Sequence, residues 1–236
     1  MKKLILASAL VATAISGLAQ AKDYPQNPVV RPLTLTDGTI QIVGAYSYGK
    51  QHDDDTAAGF GGNISYGLTD KLQIGFEGLT YSLLKQKSSG FELAANIGLR
   101  GHHDSDSDRV GESLGMGASL FGKQIINDKL AFTFGAGFTH WDEDHLDNKQ
   151  EFTYTLGAMT NIAKNVTLSA HYTFRDLKDF QQDSANVINL GLNYALSSNL
   201  DIGAGISYSD FEEMADGVPF HERAEKSATI YAAYRF

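Results

Sequence analysis

From residue 130 the chain places an apolar side chain at every second position, in runs of about ten residues. Leu130, Phe132, Phe134, Ala136 and Phe138 alternate with Ala131, Thr133, Gly135, Gly137 and Thr139. The runs 166–174, 188–196 and 200–208 repeat the pattern. Residues two apart share one face of a strand, whereas a helix brings together residues three and four apart. The same alternation, with more noise, runs through Ile40–Tyr48, Phe60–Leu68, Phe91–Leu99 and Leu114–Leu120. Eleven strand-like segments start near residues 39, 57, 72, 89, 113, 129, 150, 165, 185, 199 and 226. In the third, Leu72, Ile74 and Phe76 hold one phase and Leu79, Tyr81 and Leu83 the other. A bulge near Gly78 is the expected repair.

Connections in the C-terminal half alternate in kind. Residues 126–129, 163–165 and 197–199 are short, whereas 142–150, 176–184 and 210–225 are long and polar. That is a meander of hairpins with two unequal rims. The polar faces carry Gly, Ser, Thr and Asn with scattered charges, not the Lys and Glu of a sheet that faces bulk water. Many outward faces end in an aromatic residue, among them Tyr46, Tyr48, Tyr66, Tyr172, Phe174, Tyr194 and Tyr208. Trp141 counts onto the inward phase and is read as a rim residue.

The N-terminus adds a compartment. Lys2 and Lys3, an apolar stretch and Ala19-Gln20-Ala21 make a secretory signal peptide over residues 1–21. The remaining chain, 22–236, is expected to be one domain with a short N-terminal segment at 22–32. Without cysteine no disulfide framework is possible. The net charge of −9, made two units more negative by loss of Lys2 and Lys3, argues against nucleic acid as a partner.

A sandwich and a closed barrel both accept this many alternating strands. In lipid only the barrel survives, because an open sheet edge leaves backbone groups unpaired. Signal peptide, dyad strands, short turns opposite long loops and the final "TIYAAYRF" together resemble the porin-like outer-membrane β-barrels of bacteria. The resemblance covers about residues 39–236. It implies an all-β, antiparallel up-and-down transmembrane barrel in the outer membrane, with an even number of strands. Twelve is the expectation, with residues 33–39 as an extra first strand before an Asp37-Gly38 hairpin turn; ten is the alternative. It also implies that Tyr234 and Phe236 belong to the segment read by the barrel-assembly machinery. Lipid and lipopolysaccharide are the expected surroundings.

Counting by phase puts Glu77, Glu92, Arg100, Lys123, His171, Arg175, Asn189, Asn193, Asp201 and Arg235 in the lumen. Charges of both signs show no sharp single-ion selectivity filter, and Asp201 is expected to pair with Arg235 on the neighbouring strand. Inward glycines favour a water path for small polar solutes; mixed charges favour a plug. The reading is therefore a porin-like channel, against a non-conducting surface-interaction barrel. A lipid or peptide hydrolase is more remote, because His140 has no serine on the outward phase at matching height. Acidic loops such as 52–55, 104–108, 142–147 and 210–216 read as solvated rims. No phosphate loop or metal-ligand spacing is present, so neither cofactor nor metal is expected.

Overall fold

The computed structural model describes residues 24–50, 56–85, 90–104, 112–144, 147–211 and 224–236. The expected signal peptide and most of the acidic loop runs lie outside them. Twelve strands form one closed antiparallel barrel in chain order: β1 Ile40–Lys50, β2 Thr56–Thr69, β3 Leu72–Gly75, β4 Gly78–Leu84, β5 Phe91–Asp104 and β6 Glu112–Asn127. There follow β7 Leu130–Glu143, β8 Lys149–Ala163, β9 Val166–Lys178, β10 Ser184–Ala195, β11 Leu200–Ser209 and β12 Lys226–Arg235. The seam is β1 against β12, in register from Gln41↔Arg235 to Lys50↔Lys226. Phe236 extends it, exchanging both backbone hydrogen bonds with Ile40 at 2.8 and 3.0 Å.

The alternation sets the two faces. Outward positions such as Tyr46, Leu156, Ile206 and Ile230 are exposed, whereas their chain neighbours are half-buried or buried. The termini and the short turns at 70–71, 128–129 and 164–165 share one end, called here the terminal end. The longer connections gather at the other, the loop end.

The count of twelve is reached through a different strand from the one expected. Residues 33–39 form no strand. Both edges of β1 are already taken, by β2 and β12, so closure leaves no ladder for a strand before it to join. The Asp37-Gly38 turn is present, with Gly38 at φ 76° and Thr39 N donating to Thr36 O at 3.1 Å, but it leads into β1 from a non-strand segment. The twelfth strand comes instead from the phase slip. Phe76 and Glu77 form a two-residue turn between paired Gly75 and Gly78, splitting one expected bulged strand into β3 and β4. Gly78 has φ 103°, and a Cβ there would collide with the carbonyl of Ile97, so glycine is required at this tip.

Candidate functional site

The lumen has two mouths and a middle. At the terminal mouth the segment 24–39 crosses the opening from wall to wall. Gln26 donates to Ala195 O at 2.8 Å, and Asn27 to Asp128 O at 2.7 Å. Asn161 donates to Asn27 at 2.9 Å, and Leu35 N to Gln73 Oε1 at 3.0 Å. A 3-10 turn, Pro28–Val30, capped by Asn27 and opened by a proline that needs no donor there, drops Val29 into an apolar contact with Ile125 and Ala131. We call this segment the strap.

Its anchor is Arg31. The guanidinium grips Asp201 with both nitrogens, at 2.5 and 2.8 Å, and its remaining donors go to the carbonyls of Pro25 and Gln26. Asp201 also accepts from Arg235 at 2.7 Å, and Arg235 reaches Gln41 at 2.7 Å. The Asp201–Arg235 contact expected between neighbouring strands is thus present, but as part of a triad. Tyr24 stacks beside both cations, 5.6 Å from Arg31 and 4.8 Å from Arg235. Burial pushes the Tyr24 hydroxyl above the usual tyrosine range, and the two arginines offset part of that rise. Across the mouth, Lys123 lies 3.6 Å from Glu92 and donates to Arg31 O, so three cations face two carboxylates.

At the loop mouth the charges are held differently. Arg175 and Glu151, in the buried part of β9 and β8, form a bidentate pair at 2.6 and 2.9 Å. Arg175 also lies over the Phe211 ring at 4.7 Å, and Phe211 packs with Leu177, Ala185 and Phe180. Lys149 is 3.5 Å from Glu143, which also accepts from Ser113.

The middle is lined by hydroxyls and glycine. Ser47 meets Thr229, and Thr155 meets Thr173, each at 2.8 Å. Asn189 is half-buried on the inward face of β10, opposite His171 and Ser207. Asn193 accepts from Tyr231 at 2.8 Å. Several inward glycines do not leave open space as expected. A Cβ on Gly115 would meet the Trp141 ring, one on Gly157 the His171 ring, and one on Gly203 the Tyr231 ring. A cross-strand ring therefore fills each position, and Trp141, 1% exposed, is a lumen residue and not a rim one. A cavity of about 290 Å³ remains between Leu33 of the strap and Phe121, Thr133, Thr155 and His171. Asn63 Oδ1, Thr133 Oγ1, Trp141 Nε1 and Asn193 Nδ2 all point inward, buried and without a protein hydrogen-bond partner.

Of the expected lumen residues, Glu92, Lys123, Asp201 and Arg235 come together with the strap at the terminal mouth. Arg175 sits at the loop mouth. Arg100, His171, Asn189 and Asn193 line the middle, with Arg100 donating to Asn96 at 2.6 Å. Glu77 is the exception: it is exposed on the β3–β4 turn and not on a strand's inward face. Sequence reasoning missed Arg31 and Tyr24, which precede the first alternating run and carry no period. It also missed Lys149 and Glu151, whose phase with Thr153 and Thr155 could have found them had the acidic run before them not been read as loop. His140 faces outward between Met116 and Gln150, neither of them a nucleophile. Among the described residues no group of His, Cys, Asp or Glu has the arrangement of a metal site.

A sequence model of the family described as "Outer membrane protein beta-barrel domain" matches residues 7–195. Among solved structures, an outer-membrane channel from Pseudomonas putida F1 aligns at TM-score 0.62 and 12% identity, over 93% of this chain and all of that one. The NanC porin aligns at TM-score 0.52 and 11% identity, over 83% and 98%. The KdgM porin, solved with disordered oligogalacturonate, aligns at 0.50 and 11%, over 82% and 99%. No curated protein matches the chain by sequence. At such identities the likeness is one of fold.

Proposed function

Because the chain belongs to the outer-membrane protein β-barrel domain family, we propose that it is an outer-membrane channel through which small polar solutes diffuse passively. The short-turn end then faces the periplasm and the long-loop end the exterior. The observation that carries this reading is the set of orphaned polar atoms along the lumen. Buried groups of this kind are satisfied by water when protein offers no partner. Asn63, Thr133, Trp141 and Asn193 come from β2, β7 and β10, with Thr133 and Trp141 toward opposite ends of β7, so the water they call for is spread through the lumen and is not one isolated molecule. The strap narrows the periplasmic mouth, and the buried ion pairs brace neighbouring strands at both ends. No residue is assigned a catalytic role, and the reading needs no cofactor or metal.

The second reading, a non-conducting barrel that meets lipopolysaccharide or an external partner, draws support from the strap, whose contacts run around the periplasmic mouth. Liposome swelling with neutral sugars of graded size separates the two. Swelling by small sugars that declines with sugar size is expected of the channel; no swelling by any sugar would overturn it. Within either reading, Tyr234 and Phe236 are proposed as the segment that the barrel-assembly machinery recognises, since they end the seam strand. Cleavage of residues 1–21 on export is likewise part of the proposal.

A further inference from the structure

The wall is not equally tall all round. β3 and β4 are short, and their hairpin ends at Phe76 and Glu77, partway up the barrel. The last β2–β3 pair is Ser65↔Gly75, and the last β4–β5 pair toward the loop end is Leu79↔Ile97. Above them, residues 56–64 of β2 pair with β1 alone, and residues 99–104 of β5 pair with β6 alone. At the level of the hairpin β2 and β5 stand three strand spacings apart, roughly 14 Å. Among the described residues no strand fills the space above the tip. The tip itself is seated tightly: Gly98 of β5 has no room for a Cβ against the carbonyl of Glu77, and Gly78 none against Ile97.

Two unpaired strand edges cannot sit in hydrocarbon, because each unsatisfied backbone group there costs several kcal/mol. The edges are tolerable where water from the lumen reaches them. The lips of the notch are apolar on the outside: Phe60 is 86% exposed, Phe76 67% and Leu99 44%. A Cβ on Gly59 or Gly61 would touch nothing. On the inner side stand Asn96 and Arg100, with the Arg100 guanidinium donating to Asn96 at 2.6 Å. A polar floor next to apolar lips grades the path from water to lipid.

We propose that this notch is a lateral portal through which small apolar or amphipathic molecules pass between the lumen and the outer leaflet. It rests on the reading of the lumen as water-filled. A fully polar solute has no use for it, since leaving between the lips would strip its hydration without replacement. The class of molecule is therefore one with an aromatic or acyl body and at most a small polar end, which the Arg100 side of the notch can hold until the body reaches lipid.

The absence of cysteine makes the test direct. Single cysteines are placed at the lips (Phe60→Cys, Leu99→Cys), at outward neighbours paired on both sides (Tyr46→Cys, Met116→Cys) and in the lumen (Ser207→Cys). Each is exposed to a charged, water-soluble thiol reagent in reconstituted protein. The lip positions should react at rates near that of Ser207→Cys and at least about tenfold faster than the outward neighbours. Lips no faster than the outward neighbours, with Ser207→Cys reactive, would overturn the portal and spare the channel. An unreactive Ser207→Cys would remove the water-filled lumen, and the portal with it. In cells, bridging Phe60→Cys to Leu99→Cys with a bifunctional maleimide should cut uptake of a phenylnaphthylamine dye severalfold and leave sugar permeation unchanged. Dye uptake indifferent to the bridge, or a loss of sugar permeation in parallel, would overturn the proposal.

Discussion

The two mouths of the barrel hold similar charges in opposite ways. At the loop mouth Glu151 and Arg175 lie on adjacent strands 24 residues apart in sequence, and the wall itself brings them together. At the terminal mouth Arg31 reaches Asp201 from 170 residues away, on a segment that belongs to no strand. The first pair is a component of the wall. The second joins the wall to a removable part. A strap fixed this way can leave without breaking a single strand ladder, whereas the Glu151–Arg175 pair at the loop mouth cannot part without disturbing the β8–β9 register. In the channel proposed above, control over permeation therefore resides at the terminal mouth, and stability is shared by both.

Asp201→Ala should break the comparison most severely. It removes the one carboxylate that holds Arg31 and Arg235, leaving two buried guanidiniums uncompensated, at a cost of about 3–5 kcal/mol. The urea midpoint should fall, and single-channel conductance should rise as the strap comes away. A fall in stability without a rise in conductance would mean that the strap does not control the opening.

Glu151→Gln is the matching change at the other mouth. It should cost about 1.5–3 kcal/mol, because Glu151 no longer offers Arg175 a charged bidentate acceptor. Conductance should stay near that of the unchanged protein, since Phe211 still covers the guanidinium and the strap is untouched. A conductance gain as large as that of Asp201→Ala would erase the distinction between the mouths.

The difference between the mouths also explains what could be read from the sequence. The wall was legible because lipid on one side and water on the other impose period two on every strand, and that period alone placed Asp201, Arg235, Arg175 and His171 inside. The strap was not legible. Residues 24–39 are folded by contacts scattered over the wall and turns from Gly67 to Arg235, and no local pattern encodes such a set. The β3–β4 hairpin falls between the cases. Its phase slip was visible, but a bulge and a two-residue turn both shift the phase, and only pairing with β2 and β5 distinguishes them. Trp141 follows the inward phase of β7, and the missing side chain of Gly115 makes room for its ring, so period outweighs the general preference of tryptophan for a membrane rim.

Arg31→Met should separate strap from wall more gently. Asp201 keeps Arg235, so the wall triad shrinks to a pair and the loss is about 2 kcal/mol, confined to the strap. Proteolysis within residues 24–39 should accelerate, with conductance rising and the urea midpoint of the barrel nearly unchanged. A midpoint shift equal to that of Asp201→Ala would show that the strap and the wall unfold as one unit.

The smallest effect is a titration. Burial holds the Tyr24 hydroxyl protonated to a higher pH in the docked strap than in a released one, whose tyrosine titrates near pH 10. A group with a raised value in the folded state contributes stability that is fully present below the unfolded value and is lost as the pH climbs through the folded one. Docking of the strap should therefore be flat through neutral pH and weaken only above about pH 10, seen as faster cleavage within residues 24–39. Tyr24→Phe keeps the ring beside Arg31 and Arg235 but removes the proton, so the difference in cleavage between the two proteins across that range isolates this one group from the other tyrosines. If both lose the strap at the same pH, the alkaline release belongs to the wall, and the two mouths are less independent than their contacts make them.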